Sequence, residues 1–425
     1  MGKLTELYKS KSARDYFFTF AVEMFIVLVT VIVVRLASTL LNEHEESGYL
    51  VSRRMLSTLQ PFLIVGLGVA MPRFIAMAMN GDDPRKSHSY LYASMFILLW
   101  PGLIFLVSSL IFPKGLAYLF FASENFSNLI FPLALQLVGA LMHMIVYGYY
   151  RGTSHMGMAN TIQFINMGMV PLGVFYFATS AEQVLYYTAF SWMGTASVFL
   201  FLQVSQASFD LIKIKIAARE MFIYGIARVP GDFLLGLFMS LPMIMVNHSD
   251  GVTSGKNISV AFTFLQMAAA VFTPICLMLL TDSSQLLVKK DYDGLRRKTN
   301  MVLKVTIGLT LLGVLLVIVL CPFILEYVLK VEGDMVILAT RLAIVAALGY
   351  TVFISLRSVL DAYYVRPVNT LNIAISVAVF AASASLYSVF GLNYIYILGC
   401  FIGSMFLLGL LTWIETNKVL TKKLN

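Results

Sequence analysis

The chain is 425 residues long, 59% hydrophobic and only 12% charged, with a mean hydropathy of +0.84. Soluble domains carry about 45–50% apolar and about 25% charged residues, so this composition excludes a soluble globular domain, a disordered chain and a coiled coil. The formal net charge of +8 fits basic loops of a polytopic membrane protein, and nothing in the chain reads as a nucleic-acid module.

The N-terminal stretch MGKLTELYKSKSARDYFF leads into an apolar run too long for the core of a cleaved signal peptide, and is read as a retained first span. Glu6 stands where a myristoylation signal needs Ser or Thr. Apolar runs of about 20 residues mark membrane-crossing helices. Twelve are predicted, near 17–41, 56–79, 89–112, 127–148, 159–179, 184–204, 222–246, 258–281, 300–321, 335–359, 368–390 and 393–415. No run shows the alternation of a membrane β-barrel. The three cysteines, Cys276, Cys321 and Cys400, lie in or at the ends of these runs, which argues against disulfides and a thiolate metal site. No cofactor is expected.

Basic residues such as Lys9, Arg85, Lys86, Arg151, Lys213, Arg219, Arg296, Arg297, Arg366 and Lys422 fall on one side of the alternation. Arg53, Arg54, Lys114, Lys256 and Lys330 fall on the other. By the positive-inside rule both termini are then cytoplasmic and the number of spans is even.

The two halves repeat. Glu23 falls on Asp232 and Asn160 on Asn369 at one shared offset, and the basic loop GDDPRKSH (81–88) falls near DYDGLRRK (291–298). Six spans per half make the repeat parallel. The expected fold is an all-α polytopic membrane protein with two six-helix halves, residues 1–208 and 209–425, around a central cavity. Such halves suit alternating access.

Ionisable residues inside spans are expensive and are functional candidates by default. They are Glu23, Arg35, Arg73, Arg228, Asp232, Arg341, Arg357 and Asp361, with Arg53 and Arg54 at the outer mouth of the second span. Asp232 lies about 15 Å into its predicted span, near the midplane, behind the breaker Val229-Pro230-Gly231. Several of these charges have a bland alternative. Long arginines snorkel to the headgroups. Arg357 and Asp361, spaced i, i+4, can simply pair, as can Arg228 and Asp232. His143 reads as a packed polar residue. The set holds more Arg than acid and no Lys. Guanidinium keeps its charge and offers a planar fork to phosphate, so the cavity is expected to attract an anion, a phosphate or diphosphate.

The stretch GYLVSRRMLSTLQPFLIVGLGVAMPRFIAMAMNGDDPRKSHSYL (48–92) resembles the second-span region of bacterial polysaccharide flippases of the Wzx type. These are the O-antigen and capsule translocases of the multidrug/oligosaccharidyl-lipid/polysaccharide (MOP) exporter superfamily. The segment LRSVLDAYYVRPVNTLNIAIS (356–376) looks like that family's tenth-to-eleventh connection, and the likeness extends over essentially the whole chain. The resemblance implies a MATE-like fold in the bacterial inner membrane. The implied activity is flipping of an undecaprenyl-diphosphate-linked oligosaccharide from the cytoplasmic to the outer leaflet for lipopolysaccharide, capsule or exopolysaccharide synthesis. Implied partners are membrane lipids and the glycan polymerase and other biosynthesis proteins, with no nucleic acid. Arg53 or Arg54 best matches a family arginine. The first span departs from the related lipid II flippases: Glu23 has no adjacent Arg and the span no Pro or Gly to bend it. Those flippases also usually have fourteen spans.

In this reading the diphosphate is clamped by Arg228, Arg73 and Arg357 and passed to Arg35, Arg341 and the Arg53/Arg54 mouth. H+ or Na+ binding at Glu23 or Asp232 resets the empty carrier. A membrane potential negative inside assists anion export by roughly 2.3 kcal/mol per charge per 100 mV. The alternative within the superfamily is a cation-coupled multidrug antiporter, which predicts an acidic interior. The major facilitator class lacks support because GDDPRKSH does not carry its Gly-x-x-x-Asp-(Arg/Lys) loop. An enzyme is not expected, since no large outer loop or clustered acid, His or metal constellation exists in the sequence.

Overall fold

The computed structural model describes residues 11–79, 83–204, 209–226, 229–288, 290–364, 368–390 and 393–421. Among them the chain is helical throughout. The first half holds α1 (Lys11–Leu40), α2 (Glu43–Leu63), α3 (Leu67–Met79), α4 (Lys86–Ile111), α5 (Pro113–Phe121), α6 (Ser127–Gly152), α7 (Met156–Gln163), α8 (Val170–Phe177) and α9 (Ala181–Val204). The second holds α10 (Leu211–Ile226), α11 (Val229–Asp250), α12 (Val252–Val288), α13 (Tyr292–Phe323), α14 (Asp334–Tyr363), α15 (Val368–Phe390) and α16 (Ile395–Leu420). Each of the twelve apolar runs lies on one helix or on two consecutive ones. Nine helices among the described residues are long and apolar enough to cross a membrane. The protein is therefore a multi-pass, all-α membrane protein.

Local chemistry explains where helices start and stop. Asn42 caps α2 by accepting the Glu45 backbone N–H at 2.9 Å, and Glu43, Glu45 and Glu46 in that first turn face the positive end of the helix dipole. The acidic cluster Glu43, Glu45 and Glu46 is thus a helix start. Glu45 also accepts the backbone N–H of Ala181 at the start of α9. Pro113 opens α5, at a position where its missing N–H costs nothing. This short helix lies between the third and fourth predicted spans, in a stretch the apolar pattern does not mark.

The second span is not one rod. It breaks at residues 64–66, where Val65 and Gly66 take φ of +52° and +68°. Glycine is required at 66: any Cβ there would collide with the backbone carbonyl of Gly225 in α10. The fifth span is interrupted as well. Between α7 and α8, Phe164–Met169 winds as wider π-type turns just before Pro171, which cannot donate to the carbonyl four residues back. The predicted seventh span, 222–246, straddles the end of α10 and the start of α11.

Packing divides the chain into two compact units, Met1–Gly236 and Leu237–Asn425. The boundary falls within α11, later than the 208/209 division drawn from the repeat, because α10 packs with α3 and α4. In the first unit α6 is the central helix, surrounded by α2, α3, α4, α7 and α9, and its apolar window is 78% buried. In the second unit α14 takes that place, between α12, α13 and α16. Gly349 and Gly409 let α14 and α16 touch backbone to backbone; a Cβ on Gly409 would sit 2.7 Å from the Gly349 carbonyl oxygen. Small residues serve this purpose in membranes, where lipid is as apolar as the side chains and association rests on close packing. Phe238, Phe262, Phe380 and Phe401, all fully buried, form the aromatic centre of this unit, with Phe262 and Phe401 stacked at 4.7 Å.

Candidate functional site

The strongest candidate lies inside the first unit, around Glu23 of α1. On α6, His143, Tyr147 and Arg151 are spaced by four residues and share one face. In the fifth span, Asn160, Gln163 and Asn166 are spaced by three and share another. These two faces meet at Glu23. The Gln163 side chain and the Arg151 charge both lie close to the Glu23 carboxylate. The Gln163 carbonyl oxygen accepts from His143 Nε2 at 2.9 Å, and Asn166 Nδ2 donates to His143 Nδ1 at 3.2 Å. The directions of these bonds fix His143 as the neutral, Nε2-protonated tautomer.

The result is a chain of donors, Asn166 to His143 to Gln163, that ends beside the Glu23 carboxylate. Such chains polarise one another in a low-dielectric interior. Its far end is locked by Trp192 of α9, whose Nε1 donates to the Asn166 backbone carbonyl at 2.5 Å. His143 and Asn166 are fully or almost fully buried. Asn166 Oδ1 finds no hydrogen-bond partner among the described residues. Around the chain, Tyr147 stacks on His143 at 5.7 Å and is hydrogen-bonded to Arg151, whose guanidinium lies 5.4 Å from the Tyr147 ring centroid. Asn160 and Thr19 exchange hydrogen bonds, tying the fifth span to the first. Phe25 packs on Phe164 at 4.9 Å and against Gly168, where a Cβ would meet its ring at 2.6 Å. The interrupted fifth span therefore fits closely on the helix that carries Glu23. With a carboxylate, amide oxygens and a nearby cation, this arrangement can bind or release a proton or a small cation.

The predicted arginines are distributed differently. Arg54 of α2 is buried, at 5% exposure, and its neighbour Arg53 is half-buried. Arg35 of α1 is exposed. Neither Arg35 nor Arg53 makes a hydrogen bond or ion pair with a described residue. Arg73 of α3 donates to the Tyr224 hydroxyl at 2.7 Å and lies 4.8 Å from that ring's centroid. Arg357 pairs with Asp361 at 3.4 Å, as their i, i+4 spacing allows, and Asp361 also accepts from Asn369 Nδ2 at 2.7 Å. Arg341 acts locally, its Nε donating at 3.1 Å to the Ile318 carbonyl. That carbonyl would normally be served by residue 322, which is Pro322. Arg228 lies outside the described residues. Asp232 lies on α11, which is described from Val229 onward.

No protein-family model and no curated protein matches the chain in sequence. Solved structures do match. A multidrug-resistance MATE transporter of the MOP superfamily, in an inward-facing conformation, is similar over 95% of this chain and 98% of its own, with a TM-score of 0.73 at 13% identity. A eukaryotic MATE transporter, AtDTX14, matches over 96% of each chain, with a TM-score of 0.70 at 12% identity. A MOP superfamily transporter from Pyrococcus furiosus, described as having a binding pocket of reverse polarity, matches over 96% of this chain and 94% of its own, with a TM-score of 0.63 at 13% identity. At such identities the likeness is one of backbone, and what it shows is that this chain has the fold of the MATE transporters of the MOP superfamily.

Proposed function

We propose that the protein is a secondary transporter, not an enzyme, that flips an undecaprenyl-diphosphate-linked oligosaccharide from the cytoplasmic to the outer leaflet of a bacterial inner membrane, with both termini cytoplasmic. Arg35, Arg53, Arg54, Arg73, Arg228 and Arg357 are the proposed diphosphate ligands, with Arg341 set apart from them because its Nε already serves the Ile318 carbonyl. Arg53 and Arg35 weigh most among them, since neither is neutralised by a described acid. Glu23 is the proposed coupling site for H+ or Na+. Protonation or cation binding there removes the anionic acceptor that orients Gln163 and, through it, His143. Asp232 is the proposed second coupling carboxylate.

The observation that carries this reading is the sign of the charges within the spans. Arginines outnumber acids, and one of them, Arg54, is buried. A carrier of cations is expected to invert that balance. The fold family tolerates either sign, as the description of the Pyrococcus furiosus neighbour indicates.

A second reading, a cation-coupled multidrug antiporter, is favoured by the Glu23 cluster and by the multidrug-resistance MATE transporter among the neighbours. Proteoliposomes separate the two. A fluorescent polyprenyl-diphosphate glycan placed in the inner leaflet becomes accessible to an external quencher under the first reading, and this exposure is lost in Arg53→Ala and Arg54→Ala. Export of a cationic dye, with no movement of the glycolipid, selects the second.

A further inference from the structure

Helix α10 has two faces of opposite character. On the inner one, Ile214, Ala217, Met221 and Gly225 are buried, and the charges beside them are paired. Lys213 donates to Asp83 at 3.2 Å; Glu220 accepts the Tyr90 hydroxyl at 2.5 Å and lies 3.8 Å from Lys86. Asp210 accepts the backbone N–H groups of Ile212 and Lys213, closing the helix start. On the outer face stand Ile212, Lys215, Ile216, Arg219 and Ile223, spaced as one stripe of a helix. Ile212 is 74% exposed, Ile216 50% and Ile223 59%. Lys215 and Arg219 are exposed and form no ion pair or hydrogen bond with any described residue.

The contacts also fix the depth of this segment. Phe209 meets the Tyr92 ring edge-on at 5.3 Å, Lys213 reaches Asp83, and Glu220 reaches Lys86 and Tyr90. All of these partners lie in the connection before α4 or in its first two turns. Residues 209–213 therefore lie beside the start of the third span, at headgroup level, and α10 runs inward from there along α3 to Gly225, which meets the backbone at Val65-Gly66. Helix α11, with 22 residues and a length of about 33 Å, is itself long enough to cross a hydrocarbon core of about 30 Å.

We propose that this outer face is a docking surface for the anionic phospholipids of the leaflet around it. Lys215 and Arg219 meet lipid phosphates, and Ile212, Ile216 and Ile223 enter the headgroup–acyl boundary. Cations interleaved with isoleucines on one helix face that starts at interface depth, without a counter-charge among the described residues, are complementary to that occupant. Zwitterionic lipid supplies the acyl contact without the net charge.

The test is lipid retention by the full-length protein in detergent, measured by native mass spectrometry with added phosphatidylglycerol or phosphatidylcholine. Wild type is expected to retain phosphatidylglycerol preferentially, and the preference should fall as NaCl is raised. Lys215→Gln and Arg219→Gln should each lower it roughly five-fold, and the double variant by about the product, with phosphatidylcholine retention unchanged. Arg296→Gln/Arg297→Gln, in the second unit, should leave it intact. A double variant with wild-type preference would overturn the proposal. So would a preference insensitive to salt, a measurement on wild type that stands even if the double variant fails to fold. If a polyprenyl diphosphate outcompetes phosphatidylglycerol and that advantage is lost in the same variants, the face belongs to the substrate and the proposal fails.

Discussion

Asn160 and Asn369 occupy equivalent points of the sequence repeat, at the starts of the fifth and eleventh spans, yet they hold different things together. Asn160 bonds Thr19 and so ties its span to the helix that carries Glu23. Asn369 bonds Asp361 and the Arg357 carbonyl, and so ties its span to the preceding one. In the first unit the polar groups run inward, across three helices, and end on a carboxylate. In the second unit the equivalent asparagine ends instead on the Arg357–Asp361 ion pair near the end of α14. The interior polar contacts between α13 and α14 are uncharged hydroxyls there, Thr306 with Ser355 at 3.1 Å and Thr310 with Thr351 at 3.0 Å. Hydroxyls can satisfy one another without exchanging an ion, so they hold helices in register. A buried chain ending on a carboxylate changes its bonding when that carboxylate is neutralised. If transport is coupled through Glu23, as proposed, the first unit carries a polar network beside that carboxylate for which the second unit shows no equivalent among the described residues.

The largest expected effect breaks that asymmetry directly. Glu23→Gln keeps the volume and a hydrogen-bond acceptor but removes the charge. Coupled transport in proteoliposomes should fall by about tenfold or more, with folding retained. Asp361→Asn, in the second unit, should fall far short of that. Equal losses would show that both units couple.

Next in size are the glycine contacts, one in each unit. Gly66→Ala must place a Cβ against the Gly225 backbone at a φ of +68°, and Gly349→Ala must place one 2.5 Å from the Met405 carbonyl oxygen. Each should cost about 2 kcal/mol, read as a lower melting temperature in detergent. Gly66→Ala should be the worse of the two, because helix sliding can relieve a clash but not a left-handed backbone. Gly308→Ala, with open space around it, is the control.

What could be read from the sequence follows the same division. The helices that carry the apolar runs were legible because those runs are long. The Arg357–Asp361 pair was legible because i, i+4 spacing is a local property. The break at Val65-Gly66 was not: PFLIVGLG reads as continuous apolar helix, and only the contact with Gly225 shows why a glycine stands there. Glu23 stood out as a charge. Its partners did not, because Gln163 and Asn166 are neutral amides and His143 read as packing. Their four- and three-residue spacings were visible, but the meeting of the two faces depends on tertiary packing. The role of Arg341 depends on the register of α13 against α14, which sets a guanidinium beside the carbonyl that Pro322 leaves unserved.

That role separates Arg341 from Arg53. Arg341→Met should lower stability by about 1 kcal/mol, the usual net value of one hydrogen bond, and leave transport per folded molecule close to wild type. Arg53→Met should do the reverse. Loss of transport in both, with stability unchanged, would place Arg341 among the substrate ligands after all.

The smallest effect belongs to the ion pairs of the repeat-related loops, Asp83 with Lys213 and Asp282 with Lys298. Asp83 is exposed, and the hydrogen bond from Lys213 holds its carboxyl below the ordinary 3.8. A carboxyl lowered by folding contributes stability above its unfolded value and loses it as the pH falls through the folded one. Thermal melts in detergent should show a slightly steeper loss of stability for wild type than for Lys213→Ala below about pH 4, and raised salt should erase the difference, as for any exposed pair. Because Asp83 also fixes the start of α10 beside the third span, a large difference would mean that this pair holds the helix in place. Parallel curves would leave that anchoring to the Tyr90–Glu220 bond and to the buried side chains of α10.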